Sequence, residues 1–88
     1  FVDFSVIYNT GGNSGTTDVE LRHTYFDSAS VGVGSGQSII VTVSGSTGAK
    51  IKSGSSAFSM DGTDIYWVRV TSGNNNHVIY SCRARYIN

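Results

Sequence analysis

Proline is absent from this sequence of 88 residues, and cysteine occurs once, at Cys82. Without proline, chain reversals must be made by Gly, Asn, Asp and Ser, which supply positive φ angles or side-chain turns. A single thiol excludes an intramolecular disulfide. The length suits one small domain, so we expect residues 1–88 to form a single domain.

An excess of charge of one sign is also lacking, as are long apolar runs. Six Lys and Arg balance six Asp and Glu, which gives a formal net charge of zero. This balance argues against sequence-independent nucleic-acid binding, which needs clustered cationic charge, and against a polybasic membrane anchor. No apolar run approaches the roughly 20 residues that a membrane-spanning helix requires. We therefore expect no nucleic-acid partner and no membrane insertion.

The residues that are abundant are those of strands and turns. Ser, Thr, Gly and Asn make up 39 of the 88 residues. Between the polar turns, apolar and polar residues alternate with the period of two that is typical of half-buried strands. The alternation covers residues 1–8, 18–26, 37–44, 49–53, 56–70 and 77–87. This pattern predicts an all-β, single-domain antiparallel β-sandwich of six to seven strands, jelly-roll or immunoglobulin-like, with a small barrel as the alternative.

Three local features predict how the strands are joined and which way they face. Residues 27–36 read as a turn region, because the glycines at 32, 34 and 36 are too flexible for a regular strand without bulges. Asp61-Gly62 suits a two-residue hairpin turn within residues 56–70. Lys50 and Lys52 are expected to point outward and guard an edge strand.

Catalytic groups are scarce and poorly placed. Cys82 shares the apolar side of the last strand with Tyr80 and Ala84, which predicts a buried and unreactive thiol. His23 lies within the apolar stripe of residues 19–25, so we expect it to hydrogen-bond a neighbouring group and not to act as a base. No G-x-S-x-G nucleophile turn is present. We therefore expect no enzymatic activity and no catalytic residue.

Metal ligands are equally few. One Cys and two His, far apart in the sequence, do not suit a zinc site. Calcium requires six to eight oxygen ligands, and the sequence lacks the D-x-D-x-D-G spacing of a calcium-binding loop. Loop oxygens are nevertheless available at Asn13, Asp61, Asp64 and Asn74–Asn76. We expect no metal and no cofactor, calcium being the one ion that these loops could hold.

The remaining chemistry is that of a binding surface. Sugars are recognised by amide and hydroxyl hydrogen bonds together with an aromatic ring, and Asn both donates and accepts without a charge to desolvate. The same Asn and Asp side chains also serve as turn residues, and Trp67 suits core packing as well as an exposed platform. The predicted ligand-binding residues are Asp61, Asp64, Trp67, Asn74, Asn75, Asn76 and His77.

These features predict a non-enzymatic, lectin-like carbohydrate-binding protein or hemagglutinin that binds glycans or cell-surface glycoconjugates. Because shallow sugar sites gain affinity by multivalency, we expect a homo-oligomer. Outward isoleucines favour self-association; they are Ile40, Ile65, Ile79 and Ile87. The sequence opens on Phe1 and not on Met, as removal of a leader would leave it, so we expect a secreted or extracellular protein.

Two other functions remain open. One is a secreted toxin or effector, pore-forming or membrane-active, in which residues 31–51 form an amphipathic hairpin. The other is a structural or partner-binding β domain that uses its loops and edge strands.

Overall fold

The computed structural model describes residues 2–27, 32–57 and 65–86 of the chain. Among these residues there is no helix that is long and apolar enough to cross a membrane. They form six strands, which are β1 (Val2–Asn9), β2 (Thr17–Asp27), β3 (Gly32–Val43), β4 (Lys50–Ser56), β5 (Ile65–Thr71) and β6 (Val78–Tyr86).

The strands build two three-stranded antiparallel sheets that pack against each other. The first sheet has the order β4-β1-β6, and the second has the order β3-β2-β5. Because the sheets are separate, the molecule is a sandwich and not a closed barrel. The predicted all-β antiparallel sandwich is confirmed, with six strands in the described part of the chain.

The core lies between the sheets and consists of alternate residues of the three most buried strands. Side chains on a strand point to opposite faces in turn, so every second residue reaches the core. This confirms the inward faces predicted for residues 1–8 and for residues 37–44. The buried apolar residues are Val2, Phe4, Val6 and Tyr8 of β1, Val19 and Leu21 of β2, and Ile39, Val41 and Val43 of β3.

Strand β4 is an edge strand, as predicted, but its lysines face the opposite way. In the β1–β4 ladder Lys52 pairs with Val6 and Lys50 with Tyr8, so both lysines lie on the core side of the sheet. The Nζ of Lys52 reaches across the sandwich and donates to the backbone oxygen of Thr42 at 2.7 Å. The prediction of outward lysines was wrong because the register with β1, which the local pattern does not contain, decides the face.

The sandwich is tighter along one side than along the other. At Gly54, β4 passes so close to β3 that a Cβ would lie 3.1 Å from Cγ2 of Ile39. On the other side, Val68 and Val70 of β5 lie on the core side of the second sheet and are still 43% and 47% exposed. The sheets are therefore close along β3 and β4 and leave the edge strand β5 partly uncovered.

Two bulges change the predicted strand faces. Residues 32–36 belong to β3 and are not a turn, and the extra residue of this strand is Ser38, between the pairs Leu21–Ile39 and Arg22–Gln37. In β6 the extra residue is Tyr80, because Ile7 pairs with Ser81 and Tyr8 with Ile79.

One extra residue reverses the alternation beyond it. Ile79 consequently packs against the core and does not point outward as predicted. Of the other isoleucines expected to be outward, Ile40 and Ile65 are exposed, and Ile87 lies outside the described residues.

One predicted hairpin is wrong. β3 lies in the second sheet and β4 in the first, so the strands within residues 31–51 do not pair as a hairpin. The hairpin predicted within residues 56–70 stays a prediction, because residues 58–64, which include Asp61-Gly62 and most of its first strand, lie outside the described residues. Turn residues signal a chain reversal, but they do not say whether the next strand joins the same sheet.

Candidate functional site

The loop between β5 and β6 carries four of the predicted site residues, and Asn74 holds it together. The Oδ1 of Asn74 accepts from the backbone N–H of Asn76 at 2.9 Å, and its backbone oxygen accepts from the N–H of His77 at 3.0 Å. Its Nδ2 donates to the backbone oxygen of Ser14 at 3.1 Å, which ties this loop to the one between β1 and β2. Both side-chain atoms of Asn74 are therefore engaged within the protein.

His77 continues this contact between the loops. Its Nε2 lies 3.3 Å from the backbone oxygen of Asn13, which can only accept, so Nε2 carries the proton. Its Nδ1 shares a hydrogen bond with the hydroxyl of Thr17 at 2.8 Å, and the same hydroxyl accepts from the N–H of Gly73 at 3.2 Å. The result is a continuous hydrogen-bond chain from Gly73 through Thr17 and His77 to Asn13.

The loop between β1 and β2 is fixed at a second point by Thr10. The hydroxyl of Thr10 donates to the backbone oxygen of Ser46 at 2.9 Å and accepts from its N–H at 2.7 Å. Thr10 and Ser46 are both buried, so this pair satisfies polar groups that would otherwise be costly to bury. The loop between β1 and β2 is thus hydrogen-bonded both to the loop between β5 and β6, which carries Asn74–Asn76, and to Ser46 in the loop after β3.

The predicted site residues fall into separate places. Asn75 and Asn76 are exposed beside the interlocked Asn74 and His77. Trp67 lies four residues before Thr71, the end of β5, which is about 13 Å at the usual rise per strand residue. The structure therefore brings Asn74 to His77 together but places Trp67 apart from them. Asp61 and Asp64 lie outside the described residues.

Trp67 stands on the outer face of the second sheet and is 38% exposed. Its indole Nε1 donates to the hydroxyl of Thr24 at 3.0 Å. The guanidinium of Arg22, its cross-strand partner, lies 5.6 Å from the centre of the ring, within cation–π range. The ring is therefore held at its edge by Thr24 and beside one face by Arg22.

Beside this ring, Glu20 binds two arginines. Its Oε1 accepts from Arg22 at 2.9 Å and its Oε2 from the Nε of Arg69 at 2.7 Å. Glu20 is buried beneath them, while half of the Arg69 side chain is exposed. The Nε of Arg22 is buried without a hydrogen-bond partner among the described residues. We call the surface formed by Glu20, Arg22, Thr24, Trp67 and Arg69 the Trp67 face.

The acidity of Glu20 follows from these contacts. The hydrogen bond from Arg69 lowers the pKa of Glu20 below its ordinary value of 4.5; Arg22 acts in the same direction, and desolvation opposes both. Glu20 is therefore ionised at neutral pH, and one carboxylate faces two guanidinium groups. The sequence pattern alone did not identify these residues as a support for Trp67. The alternation correctly places Glu20 and Arg22 on one side, but the pairing of β2 with β5 was needed to add Trp67 and Arg69.

This pKa shift predicts how stability depends on pH. Because the folded-state pKa of Glu20 is lowered, its ion pairs stabilise the fold above pH 4.5, and this contribution is lost as the pH falls through the folded-state pKa. We expect Glu20→Gln to be less stable at neutral pH, and its melting temperature to fall less steeply on acidification, as measured by circular dichroism. Asp3→Asn removes the more exposed ion pair with Arg85 and is the control. Parallel acid profiles for Glu20→Gln and the unmodified protein would contradict this account.

Cys82 and His23, the two groups considered for catalysis, both make contacts within the fold. Cys82 packs against the core, and this burial raises the pKa of its thiol. A raised pKa favours the protonated form of the thiol, which is the unreactive one. The Nδ1 of His23 shares a hydrogen bond with the hydroxyl of the bulge residue Ser38 at 2.8 Å. In residues 2–27, 32–57 and 65–86, no three His, Cys, Asp or Glu side chains lie together as metal ligands would.

The outer face of the first sheet carries a shallow depression of about 240 Å³. Ile7 and Ile51 supply its apolar part and Arg83 its charge. Two hydroxyls, of Ser5 and Ser81, complete its lining.

Comparisons of the chain with protein-family models, with curated proteins and with solved structures found no match.

Proposed function

We propose that this protein is a non-enzymatic carbohydrate-binding module and that it binds glycans at the Trp67 face. The observation that carries the proposal is the exposed, supported indole of Trp67 on the outer side of a sheet. An aromatic ring in this position offers an apolar surface for the apolar side of a sugar ring, and its orientation is held before a ligand arrives.

Polar contacts to a sugar would come from Arg69. Only its Nε is bonded to Glu20 among the described residues, and half of its side chain is exposed. A guanidinium has further N–H donors in a fixed plane, which suit a pair of hydroxyls or the carboxylate of an acidic sugar. The predicted contacts from Asn75 and Asn76 remain a prediction for a second part of the surface. Asn74 and His77 would act on it by holding the loop in place.

We propose in addition that the protein is secreted and that it self-associates. A surface with one exposed aromatic ring is shallow, so useful affinity for a cell-surface glycan would come from several copies acting together. We propose no cofactor for this binding, since the contacts suggested at the Trp67 face are an aromatic ring and guanidinium donors.

The proposal predicts the result of a glycan array followed by a titration. Trp67 is the only tryptophan, so its fluorescence should shift or be quenched by the glycans that bind. We expect Trp67→Ala to weaken binding by about 5- to 30-fold, as loss of an aromatic contact worth 1 to 2 kcal/mol would. Calorimetry with the best glycan of the array measures this change.

Tyr80→Ala is the matched control, because Tyr80 is an exposed aromatic residue of the other sheet. It should bind as the unmodified protein does. Binding that survives Trp67→Ala unchanged, or an array with no bound glycan, would remove the Trp67 face as a sugar site. Leakage of lipid vesicles that no sugar inhibits would instead favour the membrane-active alternative.

A further inference from the structure

Among residues 2–27, 32–57 and 65–86, nothing guards the outer edge of strand β5 against pairing with another chain, whereas the other three sheet edges are guarded. Natural edge strands are guarded by charges, bulges or a covering element. β4 carries Lys50 and Lys52 on its core side. β6 carries a bulge at Tyr80 together with Arg83 and Arg85.

β3, the fourth edge, is both bulged and covered. Its extra residue is Ser38. The side chain of Lys52 lies against its far end, at the Thr42 carbonyl. By contrast, β5 pairs with β2 in one unbroken register from Ile65 to Thr71, so its outer edge is regular over the whole strand.

The side chains of β5 are also unusually apolar for an exposed strand. Four of the ten exposed large hydrophobic residues in the described part of the chain belong to its seven residues. They are Ile65, Trp67, Val68 and Val70. The one charged residue of β5, Arg69, is paired with Glu20. A long, regular and apolar edge of this kind is a template for another strand.

We propose that this edge binds a second copy of the chain, with β5 antiparallel to β5 of the partner about a two-fold axis at Val68. Directly opposed residues of antiparallel strands lie on the same face of the sheet. Val68 would then face its own copy, and Tyr66 would face Val70 on the core side. On the outer side, Ile65 would face Thr71, and Trp67 would face Arg69.

The charge of Arg69 and the length of β5 favour an axis at Val68 over an axis at either neighbouring residue. An axis at Arg69 would set two guanidinium groups directly opposite each other, which is unfavourable. An axis at Trp67 would leave Val70 and Thr71 without an opposing residue in β5. An axis at Val68 pairs all seven residues and places the second copy's Arg69 beside Trp67, where it repeats the contact that Arg22 makes within the chain.

The dimer would also extend the proposed glycan site. This extension rests on the proposed function, whereas the dimer itself does not depend on it. The two Trp67 residues would be diagonal neighbours on one continuous six-stranded sheet, roughly 7 to 8 Å apart between backbones. The two rings would form one platform with arginines from both copies. Its ligand class is then a chain of at least two sugar units and not a single monosaccharide.

Sedimentation velocity tests the dimer without any ligand. We expect a concentration-dependent dimer, and Val68→Lys should weaken it on the order of 100-fold or more by placing two like charges at the axis. Ile51→Lys is the matched control, since Ile51 is 69% exposed on the edge strand β4 and lies outside the proposed interface. A strict monomer over the whole concentration range, or a dimer that Val68→Lys leaves intact, would overturn the proposal.

Cysteine cross-linking tests the register and does not depend on a charged variant that folds poorly. In a Cys82→Ser background, Val68→Cys should form an intermolecular disulfide on mild oxidation, because opposed residues have Cα atoms about 4.5 to 5.5 Å apart. Ile65→Cys alone should not cross-link, whereas Ile65→Cys combined with Thr71→Cys should. The absence of a Val68→Cys cross-link, or equal cross-linking of Ile65→Cys alone, would contradict the register.

The two proposals can fail separately. If the cross-links form but no glycan binds, the interface stands and the sugar site does not. If glycans bind to a protein that sediments as a monomer, the sugar site stands and the interface is wrong. If both the dimer and the glycan site exist, Val68→Lys should weaken binding to an oligosaccharide more than binding to the corresponding monosaccharide.

Discussion

Replacing Phe4 by alanine is expected to lower the free energy of unfolding by about 3 to 5 kcal/mol, the usual range for removing a buried phenylalanine. Phe4 is 1% exposed and lies in β1, the central strand of the first sheet, which pairs with β4 on one side and β6 on the other. A domain of this size has a total stability of roughly 4 to 13 kcal/mol. The loss is therefore a large fraction of the total, and the variant should unfold at a clearly lower urea concentration. Urea denaturation followed by circular dichroism measures the loss.

Ile51→Ala is the control for this experiment. Ile51 is also a large apolar residue of the first sheet, but it is 69% exposed, so its truncation should change stability by about 0.5 kcal/mol or less. Both variants must be compared at one protein concentration, since association would shift the apparent stability. Equal losses for the two variants would mean that the core does not lie where the fold places it.

Gly73→Ala is expected to destabilise the protein by about 3 kcal/mol, at the upper end of what overpacking usually costs. A Cβ at Gly73 would collide with the backbone oxygen of Thr16, and backbone atoms cannot turn aside as a flexible side chain can. The loop between β5 and β6 would have to move away from the loop between β1 and β2. That movement would break the contacts of Thr17 with Gly73 and with His77.

Denaturation measures the loss, and faster amide hydrogen exchange at residues 13–17 should accompany it. Gly48→Ala is the matched control, because no atom lies within 4 Å of a Cβ built at Gly48. That variant should be within about 0.5 kcal/mol of the unmodified protein. A stable Gly73→Ala protein with unchanged exchange would show that the two loops are not packed as described.

The faces of β1 and the later half of β3 could be predicted from the sequence because they depend only on local geometry. Side chains alternate along a strand, so the pattern at residues 2–8 and 39–43 is enough to identify Phe4 and Val41 as core residues. The alternation does not survive an inserted residue. Ser38 and Tyr80 each add one residue against a partner strand, and no feature of the sequence marks either position.

Sheet membership and register were beyond local reasoning for a different reason. Lys52 faces the core side because of its pairing with Val6, which lies 46 positions earlier in the chain. The same limit applies to the Trp67 face. Both sides of β5 are partly apolar, so the position of Trp67 became certain only from the pairing of β5 with β2, which also brings Glu20 and Arg69 together.

The position of β1 has a consequence for how the protein is made. Of the six strands, β1 is synthesised before the other five, yet its hydrogen-bonding partners are β4 and β6, and the nearest paired residues, Tyr8 and Lys50, are 42 positions apart. The hairpin of β2 and β3 can form as soon as it is synthesised, but β1, which has the most buried apolar residues, must wait for β6. Such distant pairing slows folding and leaves an aggregation-prone segment exposed during synthesis. The interval before β6 emerges is therefore when the nascent chain has most need of a chaperone.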